Sequence, residues 1–350
     1  MTEINGIDVG SLSIDLPLDL PPMVKGRELQ VDADQLCYLA GCFDDEPFDV
    51  AKRNFASQLG SWMLMSGAET YNLHLTGDDK GGRYEIATVK EYQANRKGKE
   101  RPKHLAALRA YVQENYENVV YHENQEADDG MAQGNYSAIL AGTPDLSVIC
   151  SGDKDLRMCS GWHLNQQTGE LVEVHGYGSI DLVEGKPKKI VGYGTAFFWA
   201  QLLMGDAADN IPGLPAIGPG TMVKYPEFHT KALIKLLDAC EHTDTAKSDV
   251  AAAKIDALKH KSCGAVAAYN ILKDCTSDME AMQNVIQAYR HHYGIDVFKY
   301  KTHTGEEVET TAGAMLVEQA QLLWMRRVVD ENPITFFNQV KDGGAWYDIR

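Results

Sequence analysis

The sequence predicts an α/β fold, a mainly parallel central sheet with helices on both faces, joined to a helical region. Three observations predict it. Four strand-like runs, Leu29–Val31, 70–76, Val119–Tyr121 and Leu146–Cys150, are separated by stretches with helical spacing. Each run leads into carboxylates within a few residues, and strands of a parallel sheet end on one edge, where such sheets bind ligands. From 245 to 293 the pattern is helical and alanine-rich.

In chain order, residues 1–27 carry Pro17, Pro21 and Pro22 without periodicity and are expected to form a flexible arm. Leu29-Gln30-Val31 is a strand ending at Asp32. An apolar stretch begins at Cys37, and 49–66 has helical spacing through Val50, Phe55, Leu59, Trp62 and Met63. The strand 70–76 leads into Gly77-Asp78-Asp79-Lys80, which alone would also suit a turn. Between 90 and 109, seven bases (Lys90, Arg96, Lys97, Lys99, Arg101, Lys103, Arg109) face two acids, Glu91 and Glu100, a local charge of +5. With Tyr92 and Tyr111 at its ends, this segment suits a nucleic-acid backbone with stacking bases, or else a solvated helix face.

The strand Val119–Tyr121 hands over to Glu126-Ala127-Asp128-Asp129 at a helix start. Glu126 and Asp129 share a face there, with Asp128 about 100° round. Three anions so close repel one another unless a cation lies between them, and a hard divalent ion with oxygen ligands is the natural partner. After Leu146–Cys150 come Asp153 and Asp155, two apart. A hairpin region spans Gly161 to Val191. A helix over Phe197–Met204 closes with Asp206 and Asp209, three apart, and a Gly/Pro-rich turn through Gly213 to Thr221 leads to a helix around 229–240. Such a turn offers backbone N–H groups to a phosphate, or simply connects two helices. A small hairpin is expected at 295–311 and a helix at 312–329, whereas the tail 331–350 carries no signal. The expected division is an arm (1–27), an α/β core (28–205) with a basic segment at 84–112, a helical region (206–330) and the tail.

Hydrophobic residues make up 44% and charged residues 24%, which is ordinary for a globular protein. No apolar run nears the roughly 20 residues that span a membrane, and the N-terminus lacks a signal-peptide pattern. Seven cysteines without Cys-x-x-Cys spacing fit neither a disulfide framework nor zinc, which points to a reducing cytoplasm. The net charge of −17 argues against nucleic acid only on average, because a local basic strip still binds phosphate.

Three ordered motifs, Glu126-Ala127-Asp128-Asp129, Ser151-Gly152-Asp153-Lys154-Asp155-Leu156 and Met204-Gly205-Asp206-x-x-Asp209-Asn210-Ile211-x-Gly213-x-x-x-Ile217-Gly218, resemble the 5′-nuclease (flap endonuclease) family over roughly residues 28–240. With Tyr92-Gln93-Ala94-Asn95-Arg96-Lys97, the chain is most similar to the stand-alone replication exonucleases of short-tailed phages. The resemblance implies a PIN-like core and two Mg2+ ions, with Mn2+ as a substitute. Asp32, one of Asp78 and Asp79, Glu126 and Asp128 would hold the first ion, and Asp129, Asp153, Asp155, Asp206 and Asp209 the second, partly through water. It implies a helix–hairpin–helix on duplex DNA, with Gly213, Ile217, Gly218, Gly220 and Thr221 at the backbone and a K+ ion there. The basic segment would be an arch over the 5′ end, with Lys99, Arg101 and Lys103 on DNA. Relatives place a lysine after the tyrosine where this chain has Gln93, so Lys90, Arg96, Lys97 or Arg83 would contact the scissile phosphate.

The implied activity is 5′→3′ exodeoxyribonuclease action on duplex DNA, with RNA primers in RNA–DNA hybrids as a second substrate, during phage replication and degradation of host DNA. A partner such as single-strand-binding protein is part of that expectation. The alternatives are a flap endonuclease with the same site, a DNA-junction binder without chemistry, and a metal phosphatase acting on small molecules. The junction binder would lack motif acids, and none is missing; the phosphatase would leave the 90–109 strip without a role.

Overall fold

Asp32 ends one strand and starts one helix, and the same hand-over builds most of the first 200 residues. The structure, a computed structural model, describes residues 3–4, 7–8, 20–214, 239, 245–259, 263–329 and 331–342. Two short strands, β1 (Glu3–Ile4) and β2 (Ile7–Asp8), pair antiparallel with each other. The main strands are β3 (Val24–Asp32), β4 (Ala68–Asp79), β5 (Val119–Asn124), β6 (Ser147–Cys150), β7 (Gly161–Leu164) and β8 (Leu171–Val174). They form a six-stranded sheet in the order β5-β4-β3-β6-β7-β8. All its pairings are parallel except that of β7 with β8. The four strands expected from the sequence therefore lie side by side.

The first strand begins earlier than expected. Val24 pairs with Ala68, and a register shift between Val24 and Glu28 breaks the alternation that would have shown this in the sequence. The hairpin region expected from Gly161 to Val191 holds two hairpins. β7–β8 extends the main sheet, while β9 (Ser179–Val183) pairs with β10 (Lys189–Tyr193). The hairpin expected at 295–311 is β11 (Phe298–Lys301) with β12 (Glu307–Thr310).

Helices cover both faces: α1 (Ala33–Ala40), α2 (Phe48–Ser66), α3 (Arg83–Ile86), α4 (Leu105–Asn115), α5 (Ala127–Leu140) and α6 (Thr195–Met204) in the first part of the chain. Each start has a local cause. The Asp32 carboxylate caps α1 by accepting from Gln35 N at 2.8 Å. Glu126 and Asp129 cap α5 reciprocally, each side chain accepting from the other's backbone N–H. α2 stops at Gly67, whose φ of 63° suits a residue without Cβ. Later come α7 (Thr245–Lys259), α8 (Ala265–Leu272), α9 (Asp278–Tyr293), α10 (Ala312–Leu323) and α11 (Pro333–Lys341). α11 falls in the tail that gave no signal; Asn332 caps it and it buries Phe336 and Val340. The helix expected around 229–240 lies outside the described residues, apart from Ala239. Among the described residues no helix is long and apolar enough to cross a membrane.

Alternation along the strands sends side chains into two environments. Leu29, Val31, Leu73, Leu75, Val148 and Cys150 pack against Leu36, Phe55, Trp62, Leu108 and Val112 of α1, α2 and α4. Full burial of each large apolar side chain contributes about 1.5–3 kcal/mol. The opposite face, under α5, is polar. His74 Nδ1 and His122 Nε2 share a hydrogen bond of 2.9 Å, their rings are within 2° of parallel, and Gln30 Oε1 meets His74 Nε2 at 2.9 Å. α5 fits over this pair because residue 130 is glycine: a Cβ there would lie 2.2 Å from His122 Nε2. Burial, then the His122 ring, depresses His74 to about 3, and burial lowers His122 as well. Farther along, α6 is buried from Thr195 to Leu203 and is packed by α8, α9 and α10.

Candidate active site

The carboxyl ends of the strands open into a cavity of ≈ 600 Å³ lined by Asp32, Asp34, Glu126, Asp128, Asp153 and Asp209. Strand order explains the convergence. Asp32 ends β3, Asp153 follows β6 on one side, and Glu126 and Asp128 follow β5 two strands away on the other. Asp34, in the first turn of α1, accepts from Thr76 N at 2.8 Å and meets Arg109 Nε at 2.8 Å.

A second group stands beside the first. Asp206 forms an antiparallel bridge with Ile211 that closes the 206–211 turn, and its Oδ1 accepts from Ala208 N at 2.7 Å. Oxygens of Asp155, Asp206 and Asp209 lie within 4.8 Å of one another. Lys154 Nζ spans this group, 3.1 Å from Asp155 and 2.7 Å from Asp206. The Tyr92 hydroxyl joins the two groups, 3.2 Å from Glu126 Oε2 and 3.1 Å from Asp209 Oδ2.

The basic segment is docked on the same turn. Gln93 donates through its backbone to Asp209 O at 2.9 Å and through Nε2 to Asp209 Oδ1 at 3.0 Å. Arg96 also pairs with Asp209, and Asn210 Nδ2 donates to Glu91 O at 2.8 Å. Arg96, Lys97, Lys99 and Arg101 thereby line the cavity opposite the acids.

So many acids in one recess resist ionisation. Burial, followed by Asp34 and Asp153, raises Asp32 to about 7. Burial, then Asp153, Asp32 and Glu126, holds Asp128 well above the usual range, and burial followed by Asp153 does the same to Asp155. Burial opposes ionisation of Asp206 as well, but hydrogen bonds from Asp155 and Lys154 keep it below its ordinary value. A hard divalent cation with oxygen ligands relieves this repulsion. The fit has a structural mark: Asp128 Oδ1 is buried without a hydrogen-bond partner.

Several residues singled out in the sequence stand elsewhere. Asp78 and Asp79 are exposed and do not line the cavity. β4 runs on past its neighbour: Asp32 is level with His74, and Asp79 is five residues farther, about 16 Å along an extended strand. Asp34 takes the place in the cavity. Asp129 is 0% exposed and fully engaged by Arg83 (3.2 and 3.3 Å), Arg326 N (2.8 Å) and Glu126 N (3.3 Å), which leaves it no free oxygen for an ion. Arg83 is 1% exposed, 3.0 Å from Glu126 and bonded to Trp324 O, so it holds carboxylates rather than facing the cavity. Lys90 is exposed away from the cavity, and Lys103 pairs with Asp45 outside it. Gly213 is buried, with its N–H given to Gln319 Oε1 at 3.0 Å, and is closed to a phosphate. Ile217, Gly218, Gly220, Thr221 and the expected K+ position lie outside the described residues.

Sequence reasoning missed Asp34, Lys80, Lys154 as a bridging cation, and Arg326. For Asp34 a signal existed, an acid two residues after the strand-ending acid and in the first helical turn. Arg326 is 197 residues from Asp129, a separation no local pattern reports.

No family model matches the chain. Over 155 residues it is 32% identical to DNA polymerase I of Pseudomonas aeruginosa, which covers 41% of this chain and 15% of that protein, so the chain spans under a sixth of that relative's length. Among solved structures it is similar to a bacteriophage T5 D15 flap endonuclease in complex with DNA and metal ions, at 15% identity and a TM-score of 0.37 over 76% of this chain and 93% of that one. It is also similar to the T5 5′-exonuclease with bound zinc, at 16% identity and a TM-score of 0.39 over 86% of this chain and 99% of that one.

Proposed function

We propose that the chain is a metal-dependent nuclease that hydrolyses phosphodiester bonds from the 5′ ends of duplex DNA. One observation carries this reading: a recess of crowded carboxylates, one with an unpartnered buried oxygen, faces a row of arginines and lysines across a single cavity. Acids suited to hard cations and bases suited to phosphate are what phosphoryl transfer to water requires. The similarity to a DNA polymerase over 155 residues supports the same class of substrate.

In this reading Asp32, Glu126 and Asp128 would hold one Mg2+, and Asp153, Asp155, Asp206 and Asp209 a second, with Mn2+ as a substitute. When bound, such ions supply a water acidic enough to lose its proton near neutral pH and neutralise the departing 3′ oxygen. The chain's own groups do the rest. Arg96, Lys97, Lys99 and Arg101 neutralise non-bridging oxygens and seat the strand. Tyr92 ties Glu126 to Asp209 and so fixes the distance between the two acid groups. Arg83 holds Glu126 from behind. Hydrolysis adds water across the P–O3′ bond and leaves a 5′-phosphate. Contacts to phosphate rather than to bases extend the substrate range to RNA primers in RNA–DNA hybrids, which fits a role in phage replication inside a host cell.

The test is cleavage of one blunt duplex, labelled at either end, with Mg2+ or EDTA. Release of small 5′-labelled products only with Mg2+ is the expected result. Cleavage of a flapped substrate alone would move the assignment to an endonuclease, and tight binding without any cleavage would leave a junction binder. Asp153→Asn is expected to abolish cleavage and keep most of the DNA affinity; full activity in that variant would remove Asp153 from the metal site.

A further inference from the structure

Lys80 lines the cavity, and its carboxylate partner, Glu126, is an acid of the proposed first metal site. Its Nζ lies 3.2 Å from Glu126 Oε1 and donates to Gln93 Oε1 at 2.8 Å, and its side chain is 22% exposed, toward the cavity. Of the other paired cations of this wall, Arg109 is committed to Asp34 and Lys97 to Glu91, outside the proposed ligands, and Arg96 to Asp209 of the second acid group. Two neighbours fix the Lys80 backbone. Its carbonyl accepts from Arg83, and the next carbonyl, Gly81 O, accepts from Arg326 at 2.8 Å.

Gln93 is built to hold an ammonium without cancelling it. It is 8% exposed and adopts a left-handed φ of 53°, and both its N–H and its Nε2 are spent on Asp209. That fixes its amide with Oε1 toward Lys80. A cation on Glu126 takes away the lysine's negative partner but leaves its neutral one. The ammonium is then a positive charge oriented by an amide, at the rim of the carboxylate cluster, with an anion as its only remaining complement.

We infer that Lys80 is a catalytic residue of the proposed reaction, contacting a non-bridging oxygen of the scissile phosphate, and that Gln93 positions it. This rests on the nuclease reading above. The geometry makes two demands. Lys80 competes with a metal ion for Glu126 in the free protein, and an ammonium delivered from position 93 would reach the same point.

The experiment compares wild type, Lys80→Ala and the double variant Lys80→Ala with Gln93→Lys. Single-turnover cleavage of a 5′-labelled duplex is followed in Mg2+, and Mn2+ binding to the whole DNA-free chain is followed by calorimetry. Lys80→Ala should slow cleavage about 10²–10³-fold, the loss typical of one removed oxyanion contact, and should bind Mn2+ several-fold more tightly. The second lysine should restore at least a tenth of the wild-type rate. A Lys80→Ala that cleaves within threefold of a cleaving wild type overturns the role of Lys80 and leaves the nuclease reading intact. So does a slow Lys80→Ala that position 93 does not rescue and whose Mn2+ affinity is unchanged. A wild type that cleaves no DNA overturns the nuclease reading, and the role of Lys80 with it.

Discussion

Asp128 and Asp129 are neighbours on the first turn of one helix, and the structure treats them in opposite ways. Asp129 is sealed, with an arginine across both oxygens and two backbone N–H groups on them. Asp128 lines the cavity, keeps one buried oxygen without a partner, and resists ionisation because of burial and then Asp153. The difference shows which acids are framework and which are available for chemistry. Of these two neighbours, the acid whose charge the protein itself satisfies on both oxygens belongs to the fold, and the one left with an unsatisfied oxygen toward the cavity awaits something the chain does not supply.

The largest effect should come from breaking the satisfied side. Asp129→Ala leaves the Arg83 guanidinium buried beside Glu126 with half its counter-charge gone, and should cost about 3–5 kcal/mol of stability by chemical denaturation. Arg83→Met combined with Asp129→Leu should recover part of that loss, because the buried pair is then removed together and Glu126 keeps Lys80 as its partner. If Asp129→Ala unfolds like wild type, Asp129 is not framework and the comparison collapses. Asp128→Asn should do the reverse. Cleavage should fall by about 10²–10³-fold or more, whereas the metal-free melting temperature should hold or rise as a repelled charge disappears. Equal loss of stability in the two variants would erase the distinction.

That distinction was not legible in the sequence, where Asp128 and Asp129 look alike, although much else was. Four strands, their parallel arrangement and their shared acidic edge followed from apolar runs and the residues after them. Asp78 and Asp79 misled because position after a strand was taken as position at the sheet's edge, and β4 outruns β3. Arg83 and Lys80 are three apart in one turn, yet one points inward and the other into the cavity, which only the path of the Gly81-Gly82 turn decides. The polar face under α5 was hidden for a related reason. Alternation marks which residues share a face, not whether that face is apolar.

Gly213 sharpens the comparison at a motif glycine. It was expected to offer its N–H to a phosphate, but a Cβ there would lie 2.1 Å from Gly205 N, at a φ of 62°. Gly213→Ala should therefore destabilise the turn that carries Asp206 and Asp209, by about 1–3 kcal/mol from backbone strain alone. Its melting temperature in EDTA should drop. A variant as stable as wild type that merely bound DNA less tightly would return Gly213 to the backbone-contact role.

The smallest effect is one of pH, and it separates the cavity acids from the buried histidines of the same sheet. Asp32 ionises near 3.8 in the unfolded chain and at about 7 in the metal-free fold. As pH rises from about 4 to about 7, the unfolded state releases a proton that the fold retains, so this group's contribution to stability falls over that window and is level above it. His74, depressed to about 3, and His163, depressed to about 4, both chiefly by burial, act in the opposite sense. Their unfolded forms take up protons below about 6.5, so stability is lost as pH falls from there toward 4. The two trends overlap and partly cancel in wild type, and subtracting Asp32→Asn separates them. In EDTA that variant should melt a few degrees above wild type at pH 7.5, with the gap closing by pH 4, because asparagine has no proton to release. With excess Mg2+ the order should invert at pH 7.5, since the ion binds only the carboxylate. A gap that stays constant across this range in EDTA would mean that Asp32 is not crowded by its neighbours, and the case for an ion beside it would lose its electrostatic half.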